Sequence, residues 1–244
     1  MSHFWQHVAR RFLVGEDLTT ISHMPGSGLK VGIPRTLEII LSVGGLVLLA
    51  PLIGLASLAI FLTSGGPVIF RQKRIGHKGV PFVLYKLRTM KVTDEQGPQV
   101  TAAKDSRVLP VGRWLRKAKV DELPELWNVL RGDMSLVGPR PEVPRYVDMN
   151  NPKWKLVLEA RPGITDQTTL LLLNEEVLLA SVNANREEFY LNTLLPLKLE
   201  GYLSYLRERS FWGDVRVLVQ TCGAVVLPRS APPPTIEMNS TKHG

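Results

Sequence analysis

The stretch "IILSVGGLVLLAPLIGLASLAIFL", residues 39–62, holds no charged side chain, and the neutral run continues to Phe70. As a straight helix it reaches about 36 Å, enough to cross a hydrocarbon core about 30 Å thick. It begins too late, and lacks the small-residue cleavage site, to be a cleaved signal peptide. Pro51 lies near its middle, where a proline removes a backbone donor, clashes with the preceding turn and favours a sharp bend. Each half then reaches roughly 17 Å, too short to cross alone. Lys30 and Arg35 precede the segment and Arg71, Lys73 and Arg74 follow it, so both flanks carry the basic residues of a cytoplasmic side. A helix that enters lipid, bends at Pro51 and returns accounts for both features. A spanning helix with a tolerated proline, and a buried core helix of a soluble protein, are the other readings these residues allow.

Working outward, "FWQHVARRFLV" at 4–14 mixes aromatic and basic residues as a surface-lying amphipathic helix does, or forms a loosely ordered tail. A Gly/Pro/Ser linker, "MPGSGLKVGIP", joins it to the apolar segment. After "SGGP", residues 68–90 read as two short strands around a Gly-rich turn, and 92–108 as a polar loop. Helical patterns cover 108–119, 122–130, 153–160 and a long stretch over 187–209. The apolar segment 210–227 is expected to pack under the domain, with Trp212 the residue that would suit a lipid boundary instead. Residues 228–244 form a Pro-rich tail.

The chain has 244 residues, 44% of them hydrophobic, which suits one globular unit with appendages. Its net charge of +8 implies an acidic partner: nucleic acid, anionic lipid or a phosphorylated small molecule. Cys222 is the only cysteine, which excludes an intramolecular disulfide and a cysteine metal cluster and suits a reducing, cytosolic setting. The five histidines show no metal-ligand spacing and are read as surface residues. No dinucleotide-binding, Walker or nucleophile-elbow motif is present.

The stretch "KVDELPELWNVLRGDMSLVGPRPE", residues 119–142, sets Asp121 and Glu122 side by side in this basic chain. One reading is structural: Asp121 caps a helix starting at Glu122, while Glu122 and Glu125 complement its macrodipole. The other is chemical. Consecutive helical residues diverge by about 100°, so the pair converges on one ligand only at a helix start, which is where the sequence puts it. A carboxylate there, near Arg116, is expected to stay ionised and to act as a nucleophile or bind Mg2+. Lys86 and Arg88 alternate on the expected strand "YKLRTM" and so are expected on one face. Gly138 and Pro139 shape the turn that presents Arg140. Arg71, Lys73 and Arg74 are expected at lipid headgroups. Arg161, in "RPGIT", is left open.

"PVIFRQKRIG", "FVLYKLRTM", "DELPELWNVLRGDMSLVGPRPE" and "RPGIT" follow one another in this order, and together they resemble the bacterial sugar transferases, also called monotopic phosphoglycosyl transferases. The resemblance runs from about residue 35 to 227. It implies transfer of a sugar-1-phosphate from a UDP-sugar to a polyprenyl (undecaprenyl) phosphate on the cytoplasmic face of the bacterial inner membrane, with release of UMP. It also implies Asp121 as nucleophile, Glu122 as its partner in a catalytic dyad, Mg2+ at Asp121, and a re-entrant helix broken at Pro51. Arg116 and Arg140 match family positions linked to the site, and Lys86 and Arg88 are candidates for the remaining phosphate oxygens. Two departures stand out. Ala50 precedes Pro51 where many relatives have Ser, and "DQTTLLLLNEEVLLA" follows "RPGIT" where many continue with Gly, an aromatic residue and Gln. The resemblance is to the minimal form of the family.

The expected architecture is therefore α+β and mainly helical: a surface segment at 1–35, a re-entrant membrane helix at 36–66, a cytosolic catalytic domain at 67–227 and a tail at 228–244. A non-catalytic basic scaffold for a lipid-linked glycan assembly is the rival. Nucleic-acid binding leaves 39–62 unexplained and lacks a recognition motif.

Overall fold

The computed structural model describes residues 30–91, 105–172, 175–182 and 185–226. The amphipathic helix expected over 4–14, the tail over 228–244 and most of the loop over 92–108 lie outside the described residues.

Helix α1 (Arg35–Ser64) starts after Pro34 and ends where Gly65 turns out of the helix at φ 65°. Pro51 lies inside it, with helix on both sides. Glu38, Ser42, Ala56 and Ile60 are buried against the rest of the chain, whereas Val47, Leu48, Leu55 and Leu62 are 67–78% exposed. Only 11% of its most apolar stretch is buried among the described residues, unlike a core helix of a soluble fold, which is compatible with membrane association.

Polar contacts pin both ends of α1 to the same domain. At the start, Arg35 donates to the carbonyls of Val129 and, at 3.2 Å, Met134, close to where helix α3 (Glu125–Arg131) ends. That places a cation at the last carbonyls of the helix, the negative end of its dipole. Glu38 Oε1 accepts from Ser135 Oγ and, at 3.1 Å, from the Leu136 amide. At the far end, Arg88 donates to Ser64 O at 3.0 Å, Ser64 Oγ at 2.7 Å, Gly65 O at 2.6 Å and Gly66 O at 2.9 Å.

Strands β1 (Ile69–Ile75) and β2 (Pro81–Leu87) pair antiparallel, Ile69 opposite Leu87 and Ile75 opposite Pro81, as the alternation around the glycines suggests. Beyond residues 92–104 come helix α2 (Pro110–Lys117), a 3-10 turn (Val120–Glu122) and then α3. Two three-residue strands not expected from sequence, β3 (Ser135–Val137) and β4 (Gly163–Thr165), pair in parallel, Ser135 opposite Gly163 and Val137 opposite Thr165.

Helix α4 (Pro152–Leu158) is capped by the Asn151 side chain and α5 (Gln167–Leu171) by Asp166, each accepting backbone N–H groups. Helix α6 (Glu175–Ser181) comes next. The long pattern over 187–209 is α7 (Arg186–Phe189), a π turn (Tyr190–Leu194) and α8 (Leu195–Glu208). Pro196 explains the wider turn, because its ring has no N–H and would strike the carbonyl four residues back in a regular α-helix. Tyr202 and Leu203 of α8 pack with Trp154 and Val157 of α4 and with Leu179 of α6 in the largest core cluster.

Helix α9 (Phe211–Val226) packs as expected through Val217 and Asp214 and leaves Trp212 74% and Val219 66% exposed. Asp214 is fully buried and accepts from the Ile33 amide at 3.1 Å and Tyr205 Oη at 2.8 Å, tying the entry to α1 onto the domain. Ala56 and Ile60 of α1 share a third cluster with Leu87 and Leu115, and Val120 packs against it. The end of α1 is thereby brought next to the acidic pair.

Candidate active site

Asp121 sits in the 3-10 turn, directly after Lys119, whose backbone is left-handed (φ 54°, ψ 18°). That conformation costs a non-glycine residue about 1–2 kcal/mol. The α-helix itself begins at Glu125 with Pro124 at its N-cap position and no side-chain cap bond. The structural alternative, in which Asp121 caps a helix starting at Glu122, does not hold: the helix starts later, behind Pro124, with no side-chain cap.

Asp121 is 7% exposed, and its Oδ1 is buried with no hydrogen bond among the described residues. An unsatisfied buried acceptor costs about 1–3 kcal/mol, more if charged, so such atoms concentrate where a ligand or reaction uses them. Burial, and then the adjacent Glu122 charge, push the Asp121 pKa up from its usual value, while Lys86, Lys119 and Arg116 pull it back. This corrects the expectation of a carboxylate favoured in its charged form by a helix start. The 3-10 turn and the low exposure supply desolvation instead.

Glu122 behaves oppositely. Burial alone would raise its pKa, yet Arg140, Lys86 and Lys119 hold it well below the usual carboxylate range. Its Oε1 accepts from Arg140 Nη2, lies 3.1 Å from Lys86 Nζ and is 3.9 Å from Lys119 Nζ. Lys86 Nζ also stands 3.1 Å from Oε1 of Glu125, a residue 1% exposed whose pKa burial raises. Asn128 steadies this side: its amide donates to Val83 O at 2.7 Å and accepts from the Tyr85 amide at 3.1 Å, completing the free edge of β2 beside Lys86.

Arg140 is held by the backbone of its turn. The Gly138 amide donates to Thr165 O at 3.0 Å, and Pro139 O accepts from the Gly163 amide at 2.9 Å. Arg74 donates to Pro141 O at 2.9 Å, and the Ile75 amide to Glu142 O at 2.9 Å. Arg74 therefore faces the turn and pairs at 3.8 Å with Glu142, rather than standing at lipid headgroups. Gly138 is required: a Cβ there would lie 2.6 Å from Arg161 O and 3.0 Å from the Gly163 amide. Below the turn, Glu142 accepts from Tyr190 Oη at 2.5 Å and from Lys198 Nζ at 3.2 Å, all three groups buried.

Lys86, Glu122 and Arg140 thus come together with Asp121. Arg88 does not join them in these contacts: β2 ends at Leu87, the alternation stops, and the guanidinium turns to the end of α1. Arg116 donates to Glu176 and, at 3.4 Å, to Thr89 Oγ1. Among the described residues no cluster of three or more His, Cys, Asp or Glu side chains could cage a metal. A lone carboxylate oxygen is nonetheless the donor Mg2+ uses when waters and substrate phosphates complete its shell, so Asp121 fits that ion.

The sequence profile of the bacterial sugar transferases matches residues 29–228. The chain belongs to the bacterial sugar transferase family. Among its relatives, the UDP-glucose:undecaprenyl-phosphate glucose-1-phosphate transferase of Caulobacter vibrioides is 41% identical over 192 residues, 77% of this chain and 67% of that protein. The undecaprenyl-phosphate glucose phosphotransferase of Komagataeibacter xylinus is 34% identical over 88% of this chain and 40% of its own length. A UDP-glucose:undecaprenyl-phosphate glucose-1-phosphate transferase of Escherichia coli is 34% identical over 85% of this chain and 43% of its own. The chain therefore spans two thirds of one relative and about two fifths of the other two.

In this sugar transferase, sequence reasoning missed Glu125, Asn128, Glu142 and Lys198 as parts of the site and its supports. Glu125 carried a signal: it lies four residues after Asp121, one helical turn on. Lys198 carried none beyond being a lone cation in an apolar helical pattern.

Proposed function

We propose that the chain transfers a sugar-1-phosphate from a UDP-sugar to polyprenyl (undecaprenyl) phosphate through a covalent intermediate on Asp121, releasing UMP. In this reading the reaction takes place on the cytoplasmic face of the bacterial inner membrane and begins the assembly of a surface glycan. The observation that carries it is the buried Oδ1 of Asp121, unbonded among the described residues, beside a Glu122 neutralised by Arg140 and Lys86.

The Asp121 carboxylate attacks the sugar-bearing phosphorus of the donor. An oxygen–phosphorus bond forms, the bond to the bridging oxygen breaks, and UMP leaves with that oxygen and its electron pair. A phosphate oxygen of the polyprenyl acceptor then attacks the same phosphorus, and Asp121 departs as a carboxylate. Splitting the transfer lets a water-soluble donor and a lipid acceptor use one site in turn. The 7% exposure of Asp121 protects the acyl phosphate from hydrolysis. Bound at Asp121, Mg2+ would supply neutralisation of charge on the diphosphate. Arg140 and Lys86 are already paired by Glu122, which fixes their charges in place before the donor's oxygens arrive. Arg116 is the cation free to regroup, since its partner Glu176 is partly solvated.

The membrane element is read as re-entrant, bent at Pro51. Arg35 and Glu38 at one end of α1, and Arg88 at the other, all bind the same catalytic domain, which supports entry and exit on one side of the bilayer. The exposed apolar faces of α1 then lie in lipid, close to where the acceptor's chain is dissolved.

The test is a Mg2+-dependent UMP-release assay with a panel of UDP-sugars and undecaprenyl phosphate. A single-turnover burst of UMP from donor alone, continuous release only when undecaprenyl phosphate is also present, and loss of both in Asp121→Asn are expected. A protein that binds membranes but releases no UMP with any donor is the scaffold, not the enzyme.

A further inference from the structure

Helix α6 opens with two adjacent carboxylates, and each holds a cation leading to one side of the acidic pair. Glu175 Oε2 lies 3.3 Å from Lys198 Nζ, which bonds Glu142 under the turn that presents Arg140. Glu176 Oε1 accepts from Arg116 Nη2. The two contacts differ in kind. Lys198 and Glu142 are 7% and 5% exposed, an internal pair that nothing from solvent can replace without leaving a charge buried. The Glu176 side chain is 44% exposed against 21% for Arg116, and a pair with one partner so far in water is weak.

Among the described residues Arg116 is poorly occupied otherwise. Of its five donors, one more makes a long 3.4 Å contact to Thr89 Oγ1. A carboxylate presents oxygen to a guanidinium in the same planar fork that a phosphate does. A diphosphate carries more charge than the carboxylate and would satisfy more of those donors.

We propose that Glu176 is an exchangeable internal anion, which holds Arg116 oriented beside the acidic pair and yields it to the diphosphate of an incoming nucleotide. This rests on reading Arg116 as a phosphate-binding residue of the sugar transferase. Glu176 is then a positioning residue that sets donor affinity without touching the reacting atoms. It lies in the segment after "RPGIT" that departs from the common family pattern.

The experiment is equilibrium binding of UDP to the full chain in lipid nanodiscs with Mg2+ present. Glu176→Gln removes the competing charge, and UDP should bind about fivefold more tightly, about 1 kcal/mol at about 1.4 kcal/mol per tenfold. Glu176→Asp, which keeps the charge, should stay within about twofold of the parent chain. In an Arg116→Gln background the Glu176→Gln gain should vanish. Unchanged or weaker UDP binding in Glu176→Gln, or an equal gain without Arg116, overturns the proposal, because a merely structural or general charge effect gives those results. UDP has no sugar to transfer, so the exchange is read independently of covalent chemistry. Tighter UDP binding in Glu176→Gln with no adduct on Asp121 would count for the exchange and against the transferase mechanism.

Discussion

Asp121 and Glu122 are neighbours in the chain, are both largely buried, and have acidities moved in opposite directions. Cations account for the difference. Glu122 Oε1 receives Arg140 and has Lys86 at 3.1 Å, while Asp121 Oδ1 is bonded to nothing among the described residues. In the proposed reaction one carboxylate organises the cations and the other reacts, a division of labour set by environment rather than residue type.

The pH dependence of the first step follows from that pair. The proposed attack needs ionised Asp121, whose pKa in the folded protein lies above its ordinary 3.8 through burial and the Glu122 charge. The rate of adduct formation should therefore fall as pH drops through that raised value. In Glu122→Gln the like charge is gone, and the acid limb should move to lower pH even though the overall rate drops. Rapid-quench measurements across pH 4–8 test this, and a limb that stays put or moves upward is inconsistent with the pairing described.

The Glu142–Lys198 pair should be worth most at neutral pH. Burial would raise the Glu142 pKa, but Lys198 and Arg74 depress it below its ordinary 4.5, so its contribution is present above that pH and is lost on acidification through the lower folded value. Burial would lower Lys198, but Glu175 and Glu142 raise it well above 10.5, so its contribution is complete below that pH and is lost only on further alkalinisation. Lys198→Met leaves Glu142 buried without its main cation and should cost about 3–5 kcal/mol at pH 7. Denaturant unfolding in detergent checks it; a loss under about 1 kcal/mol, the range of exposed pairs, would mean the cluster is solvated.

Gly138→Ala should damage the turn rather than the chemistry. Its new methyl would meet Arg161 O at 2.6 Å and the Gly163 amide at 3.0 Å, both backbone, so relief requires parting β3 from β4. Overpacking of this kind costs about 1–3 kcal/mol and here also displaces Arg140. A lowered melting temperature together with weakened UDP binding is the expected pair of results, and a variant with parental stability would contradict the close approach.

Both ends of α1 should label from one side. With Cys222 replaced by Ser, single cysteines at Lys30→Cys and Lys78→Cys flank the helix. An impermeant maleimide should reach neither in intact cells and both in opened ones. Labelling of Lys30→Cys in intact cells would indicate a spanning helix.

Much of the fold was legible in sequence where a pattern had length to repeat. The apolar run of α1, the alternation of β1 and β2 and the helical patterns around 110, 154 and 200 all qualify. Strands β3 and β4, at three residues each, are too short for any alternation to register. Arg88 was placed beside Lys86 by a strand rule that stops applying once β2 ends at Leu87. Arg35 read only as a flanking charge and Glu38 was passed over, because their partners are about 95 residues or more away in the chain. For Asp121 the motif was visible but its acidity was not. Basic neighbours are written in the sequence, whereas desolvation depends on how Val120 packs beneath the end of α1.

The central claim is that the Asp121 carboxylate becomes bonded to phosphorus during turnover. Intact-protein mass spectrometry after incubation with UDP-sugars and Mg2+, without lipid acceptor, measures this directly. A mass increase equal to one sugar-phosphate, mapping to Asp121, removed by adding undecaprenyl phosphate and absent in Asp121→Asn, is the predicted result. UMP release at the parental rate by Asp121→Asn, or an adduct on any other residue, would contradict it.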